Sequence, residues 1–180
     1  MLHIVVPESE VFKPDTNEFI LVSRTELNLE HSLVSISKWE SKYCKPFFKK
    51  DGKSTEELLY YIKCMTLNQK GSDDVYYALT SQNIKEITEY INSPMTATTF
   101  SDSSNGRPSR EIITSEVIYY QMIALGIPFE CQKWHINRLL TLIKVCNIKN
   151  GPQKKMSKAE ILSRNASLNA ARRAAMNSKG

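Results

Sequence analysis

Apolar and polar positions change rhythm three times along this chain. In the first thirty residues they alternate. Leu2, Ile4 and Val6 step by two before Pro7, and Leu27 and Leu29 alternate with Glu26, Asn28 and Glu30 between Thr25 and His31. Between these lies Glu18 to Ser23, whose Phe-Ile-Leu-Val run is β-prone by its aromatic and branched content. Pro14-Asp15-Thr16-Asn17 supplies turn chemistry. The pattern predicts three short strands over residues 1–31. Such an element needs a helix or a partner beside it to be stable.

From Ser32 the spacing becomes helical. Ser37-Lys38-Trp39-Glu40 has capping-box spacing, in which a hydroxyl and a carboxylate satisfy backbone donors reciprocally, and predicts a short helix carrying Trp39 and Tyr43. Ser54-Thr55-Glu56-Glu57 is a second box, opening a helix with Leu58, Ile62 and Met65 on one face. Asp73 and Asp74 after Ser72 suit a helix start, where carboxylates meet the positive end of the dipole. A further helix is predicted from Gln82 to Asn92 with Ile84, Ile87 and Ile91 inward. Ser101 to Ser109 is dense in turn formers and reads as a loop.

The stretch from Arg110 to Asn150 is the proposed centre. Its first part carries two adjacent apolar stripes: Ile113, Val117, Tyr120 and Ala124, and Ile118, Met122 and Leu125. A helix apolar on nearly every side is normally covered on several faces. Gly126 and Pro128 stop it. In the second part, Glu130, Lys133, Asn137, Thr141, Lys144 and Asn147 make a wet stripe, with Leu139, Leu142, Ile143 and Cys146 opposite, continuing Cys131 and His135. The expected fold is therefore mainly α with a small N-terminal β element (α+β). It is a helical bundle around an antiparallel helix pair, 110–125 and 129–149. Three regions follow: a β element at 1–31 packed on the body, a helical core at 32–150, and a C-terminal helix at 151–180. That last helix starts at a third capping box, Ser157 to Glu160. Its few apolar anchors, Ile161, Leu162 and Leu168, predict loose attachment or dependence on a partner.

Charge sharpens this division. Residues 149–180 hold eight Lys/Arg against Glu160, a net of +7, so the other residues carry −2 of the total +5. The basic excess belongs to the C-terminal segment. Four cysteines (44, 64, 131, 146) lie far apart with no C-x-x-C pair, the usage of reduced thiols in a cytosolic protein. The N-terminus lacks the pattern of a secretory signal, and no segment suits a membrane span.

Little catalytic chemistry presents itself. There is no phosphate loop, no G-x-G-x-x-G and no H-E-x-x-H. Cys131 and His135 are four apart on one predicted helix face, but further metal ligands would have to come from Cys64, His31 or a carboxylate. A packed thiol and a hydrogen-bonded core imidazole explain them better. Gly126 between two helices invites comparison with a helix–turn–helix. The second helix, however, spends Leu139, Leu140, Leu142 and Ile143 on packing, which leaves little to read base edges. No enzyme, cofactor, metal, membrane or sequence-specific nucleic acid is expected. The basic residues Lys154, Lys155, Arg164, Arg172 and Arg173 are the candidate partner-binding residues, facing an acidic stretch of another protein.

Three runs carry a likeness: Ser32–Tyr43 (SLVSISKWESKY), residues 95–100 (MTATTF), and Arg110–Lys155, including WHINRLLTLI. Here the chain resembles the tail assembly chaperones of long-tailed, non-contractile bacteriophages, and the likeness extends over nearly the full length. The resemblance implies a protein of the host cytoplasm that binds the tape measure protein and keeps it soluble until tail tube subunits replace it. It also implies further partners: the tail tube protein and a frameshift-extended form of the chain itself, with oligomers left open. The alternatives are a structural tail or head–tail component of the virion, or a small nucleic-acid-binding phage protein. The family carries no catalytic residues.

Overall fold

The computed structural model describes residues 1–13, 17–49, 52–68, 72–100, 112–151 and 158–176. The protein is mainly helical with a small N-terminal β element. It divides into two units, residues 1–147 and 148–180.

In the first unit, β1 (Leu2–Val6) pairs antiparallel with β4 (Thr25–Leu29), and β2 (Ser9–Lys13) pairs with β3 (Glu18–Val22). Ile4 stands opposite Leu27 and Val11 opposite Ile20, and both ladders keep one register. The four strands are thus two stretches of a single ribbon, interrupted at Pro7–Glu8 and Ser23–Arg24. Proline brings no N–H to a ladder. Across the break the inward positions change phase. Ile4 and Val6 are buried, and then Ser9 and Val11 are more covered than Glu10 and Phe12. Alternation alone foresaw three strands. It passed over β2, whose Ser-Glu-Val-Phe-Lys has few apolar residues to alternate.

The ribbon rests on helices. Helix α3 (Ser81–Asn92) lies against β1, and the Asn83 amide donates to the Val5 carbonyl at 3.2 Å. A 3-10 helix, Asp73–Ala78, lies under β2 and β3, tied by Lys13 to Asp74 at 2.8 Å. Ser72 caps that 3-10 helix, as its Asp-Asp start suggested, but the helix is not an α-helix.

Helix α1 (Leu33–Tyr43) is the hub. It packs on α2 (Thr55–Met65), on α4 (Ser115–Ala124) and on a 3-10 helix, Phe129–Lys133. Its N-cap is Ser32, boxed with Ser35, and the helix begins five residues before the start implied by a Ser37 cap. The carboxylate expected to close the Ser37 box has another task. Buried Glu40 accepts the Phe47 N–H at 2.8 Å and the Ser115 N–H at 2.7 Å. One charge-assisted hydrogen bond thereby ties the N-terminus of α4 to α1, and the other holds the segment that follows α1. The second box is present as expected: Ser54 and Glu57 satisfy each other's backbone donors at the start of α2.

The expected pair 110–125/129–149 needs correction. The first helix spans Ser115–Ala124; residues 112–114 are not helical, and 110–111 lie outside the described residues. It ends at Gly126, whose φ of +65° suits glycine. The second member is split into the 3-10 helix and α5 (Ile136–Asn150). Both α4 and the 3-10 helix pack chiefly on α1. The bundle is therefore centred on a helix that connects early and late parts of the chain.

In the second unit, α6 (Lys158–Ala175) has only exposed side chains among those described. The capping residue proposed for it, Ser157, lies outside the described residues.

Replacing Glu40 with Ala should leave two buried N–H groups without acceptors and lower stability by about 2–5 kcal/mol. Urea denaturation would read this as a lower midpoint at unchanged slope.

Candidate functional site

The predicted basic residues are partly accounted for. Arg164, Arg172 and Arg173 stand exposed on α6, with Arg172 and Arg173 in its last turn. Lys154 and Lys155 lie outside the described residues. Ile161, Leu168 and Ala175 recur every seven residues on the same helix, so one side of α6 is apolar yet uncovered. The arginines and this stripe together suit a surface that is both acidic and apolar.

Helix α4 supplies a second open surface. Ile118 and Met122 of one apolar stripe are fully buried, whereas Tyr120 of the other is 70 % exposed, and Ile123, outside both, is 63 % exposed. Ile112 and Ile113 before the helix and Phe129 after it are also exposed. The expectation that this helix is covered on several faces fails: one face packs on α1, and the opposite face, with Tyr120, Ile123 and Ala124 following Glu116, meets water. A contiguous exposed apolar patch on a folded protein marks an interaction site more often than a scattered leucine does.

The ribbon gives a third. On the outer side of β2–β3, Phe12 and Phe19 sit across the strands with ring centroids 5.3 Å apart. Phe19 is 69 % and Leu21 70 % exposed. The β-prone Phe-Ile-Leu-Val run forms a strand as expected, and its alternate residues Phe19 and Leu21 point outward. The signal was a single continuous apolar stretch, which carries no information on which face is covered.

A tyrosine-lined cleft of about 520 Å³ lies between α1, α2 and the 3-10 helix Asp73–Ala78. Tyr43, Tyr60, Tyr76 and Tyr77 line it. Lys63 is ion-paired with Asp73 there, and Lys42 stands 5.9 Å from the Tyr60 ring centre. Lys42 and Lys63 are balanced in number there by Glu56 and Asp73, so the cleft offers no strong preference for a charged ligand.

Cys131 and His135 do not share a helix face. Cys131 is buried in the 3-10 helix, and His135 immediately precedes α5. Among the described residues no group of three or more His, Cys, Asp or Glu could hold a metal. His135 belongs instead to a buried polar cluster. Its Nδ1 accepts the Asn137 N–H at 3.3 Å, which leaves Nε2 to donate to the Tyr90 carbonyl at 3.0 Å. Its ring lies edge-on to His31, centroids 5.0 Å apart. The Nδ1 of His31 meets the Tyr61 hydroxyl. Ser35 Oγ, 3.4 Å from the Tyr61 oxygen, donates to the Ser32 carbonyl at 2.8 Å. Both imidazoles are neutral near pH 7, because burial disfavours the charged ring. Burial, reinforced by His135, pushes the His31 pKa down to about 3. Burial also lowers that of His135 and raises that of the Tyr61 phenol. The two histidines are 104 positions apart in sequence, so spacing gave no hint of their meeting.

No family model, curated protein or solved structure matches this chain.

The neutral histidines predict an acid-sensitive fold. Below pH 6.5 the unfolded chain binds a proton at His31 that the folded chain refuses until about pH 3. Stability should fall as pH drops through that window, by up to about 1.4 kcal/mol per unit from this group, with His135 adding in the same direction. Urea titrations between pH 7 and 4 would measure the slope. His31→Asn should flatten it.

Proposed function

We propose that this protein is a tail assembly chaperone of a long-tailed, non-contractile bacteriophage. In this reading it binds the tape measure protein in the host cytoplasm and keeps it soluble until the tail tube assembles. The observation that carries the reading is the uncovered face of α4, where Tyr120 and Ile123 are open to water, with Ile113 before the helix and Phe129 after it also exposed. A long helical client has apolar stripes of its own that aggregate unless covered. A helix laid against such a face is the ordinary mode of helical recognition. The resemblance over Ser32–Tyr43, residues 95–100 and Arg110–Lys155 names the client class. The exposed arginines of α6 add a second contact, directed to acidic protein surface. Binding and release need no catalytic group, and the buried histidine cluster acts in the fold.

Co-expression with the tape measure protein tests this. The wild-type chain should raise the client's soluble fraction severalfold. Tyr120→Asp with Ile123→Asp should abolish that gain. Both positions are exposed, so stability should change by no more than about 0.5 kcal/mol per site. Equal rescue by the variant, or no rescue by the wild type, would remove the reading. Mass spectrometry of purified particles separates it from a structural role: a chaperone is absent, while a tail component is present in fixed proportion.

A further inference from the structure

We propose that the outer face of the β2–β3 hairpin is a docking site for helix α6 of a second copy of this chain. The hairpin face presents Phe12, Phe19 and Leu21 to water, with Glu10 beside them and directly across from Leu21. Glu8 and Glu18 are exposed at its ends. None of the three carboxylates forms an ion pair among the described residues. The face is thus apolar in the middle and acidic around.

Charge decides between the occupants. Two hairpin faces stacked on each other would set Glu10 and its neighbours against the same residues of the partner. Two α6 helices side by side would oppose Lys158, Arg164, Arg172 and Arg173 to themselves. Like charges across an interface are unfavourable and opposite ones favourable. A basic, apolar-striped helix on an acidic, apolar strand face satisfies both conditions. The chain carries one of each, with +7 on residues 149–180 and −2 on the rest.

The lengths also agree. From Ile161 to Ala175 the apolar stripe runs about 21 Å at the helical rise. A five-residue strand runs about 17 Å. Ile161 and Leu168 would meet Phe19, Leu21 and Phe12, while Arg172 and Arg173 reach the carboxylates. The contact is of unlike surfaces, so each copy retains a free hairpin and a free helix, and association continues beyond two. One helix on one hairpin is a small interface, which implies weak, micromolar-range affinity that salt diminishes. The inference stands apart from the client reading: it requires no tape measure protein and does not use α4.

Two variants test it by complementation. Phe12→Ser with Phe19→Ser spoils the hairpin and keeps the helix. Arg172→Glu with Arg173→Glu spoils the helix and keeps the hairpin. Sedimentation velocity of the full chain at low salt should show concentration-dependent association that fades in high salt. Each variant alone should remain monomeric, with association weakened about tenfold or more. An equimolar mixture should form 1:1 dimers and go no further. Glu10→Lys, which leaves the aromatic pair in place, should weaken self-association and should pair better with the Arg172→Glu/Arg173→Glu chain than with the wild type. A wild-type chain that stays monomeric at high concentration would overturn the proposal. So would self-association retained by either double variant, or a mixture that fails to dimerise.

Discussion

Residues 29–32 are held by backbone pairing on both sides, and the first unit depends on that seam. On one side Leu29 bridges Thr66, the Glu30 N–H donates to the Met65 carbonyl at 2.9 Å, and the Leu67 N–H donates to Asn28 at 2.8 Å. On the other side Ser32 bridges His135, and the Ile136 N–H donates to the His31 carbonyl at 2.7 Å. Through two isolated β-bridges, the end of β4 and the residues just after it thus join the end of α2 to the start of α5. Buried backbone groups must find partners, and here they find them in segments far apart in sequence. The seam fixes where α1 starts, and α1 in turn carries α2 and α4.

The side chains along the seam explain its polarity. His31, Tyr61, Ser35 and His135 bring several donors and acceptors into the interior, where an unmatched one is costly. Each has partners, and the arrangement works with the imidazoles neutral. Around it the packing is aromatic: Phe47 lies 4.3 Å from Tyr61 and 5.3 Å from Trp39 between ring centroids, and the Trp39 indole donates to the Glu57 carbonyl at 2.9 Å. The polar groups specify register, and the rings supply the buried area. That division leaves α4, the ribbon tip and α6 with apolar residues beyond what the core uses. The functional reading rests on this surplus.

Local signals were legible wherever the physics is local. Ser54 and Glu57 cap α2 reciprocally, Gly126 takes positive φ, and the spacing from Ile84 to Ile91 marks α3 to within a residue. Partner-dependent features were not legible. Ser37 and Glu40 have the spacing of a cap, yet Glu40 is taken by Ser115, seventy-five positions away. Two apolar stripes on α4 look equivalent in sequence, and only the position of α1 decides which one is buried. His135 reads as a hydrogen-bonded core imidazole and His31 only as the end of an alternating stretch, and their contact depends on the seam. Of the candidate basic site, the clustering of arginines on one helix was visible. The acidic and aromatic face proposed as its counterpart required the register of β2 and β3, because pairing sets Phe12 beside Phe19 and Glu10 beside Leu21.

The account treats the open face of α4 as the place where a helical client is held. Hydrogen–deuterium exchange of the chain alone and in complex with the tape measure protein measures this directly. Burial of Tyr120 and Ile123 under a client should slow exchange across 115–124 and the adjoining 127–133, with the seam at 29–32 unchanged. Identical exchange across α4 in the free and bound chains, with protection elsewhere, would contradict it.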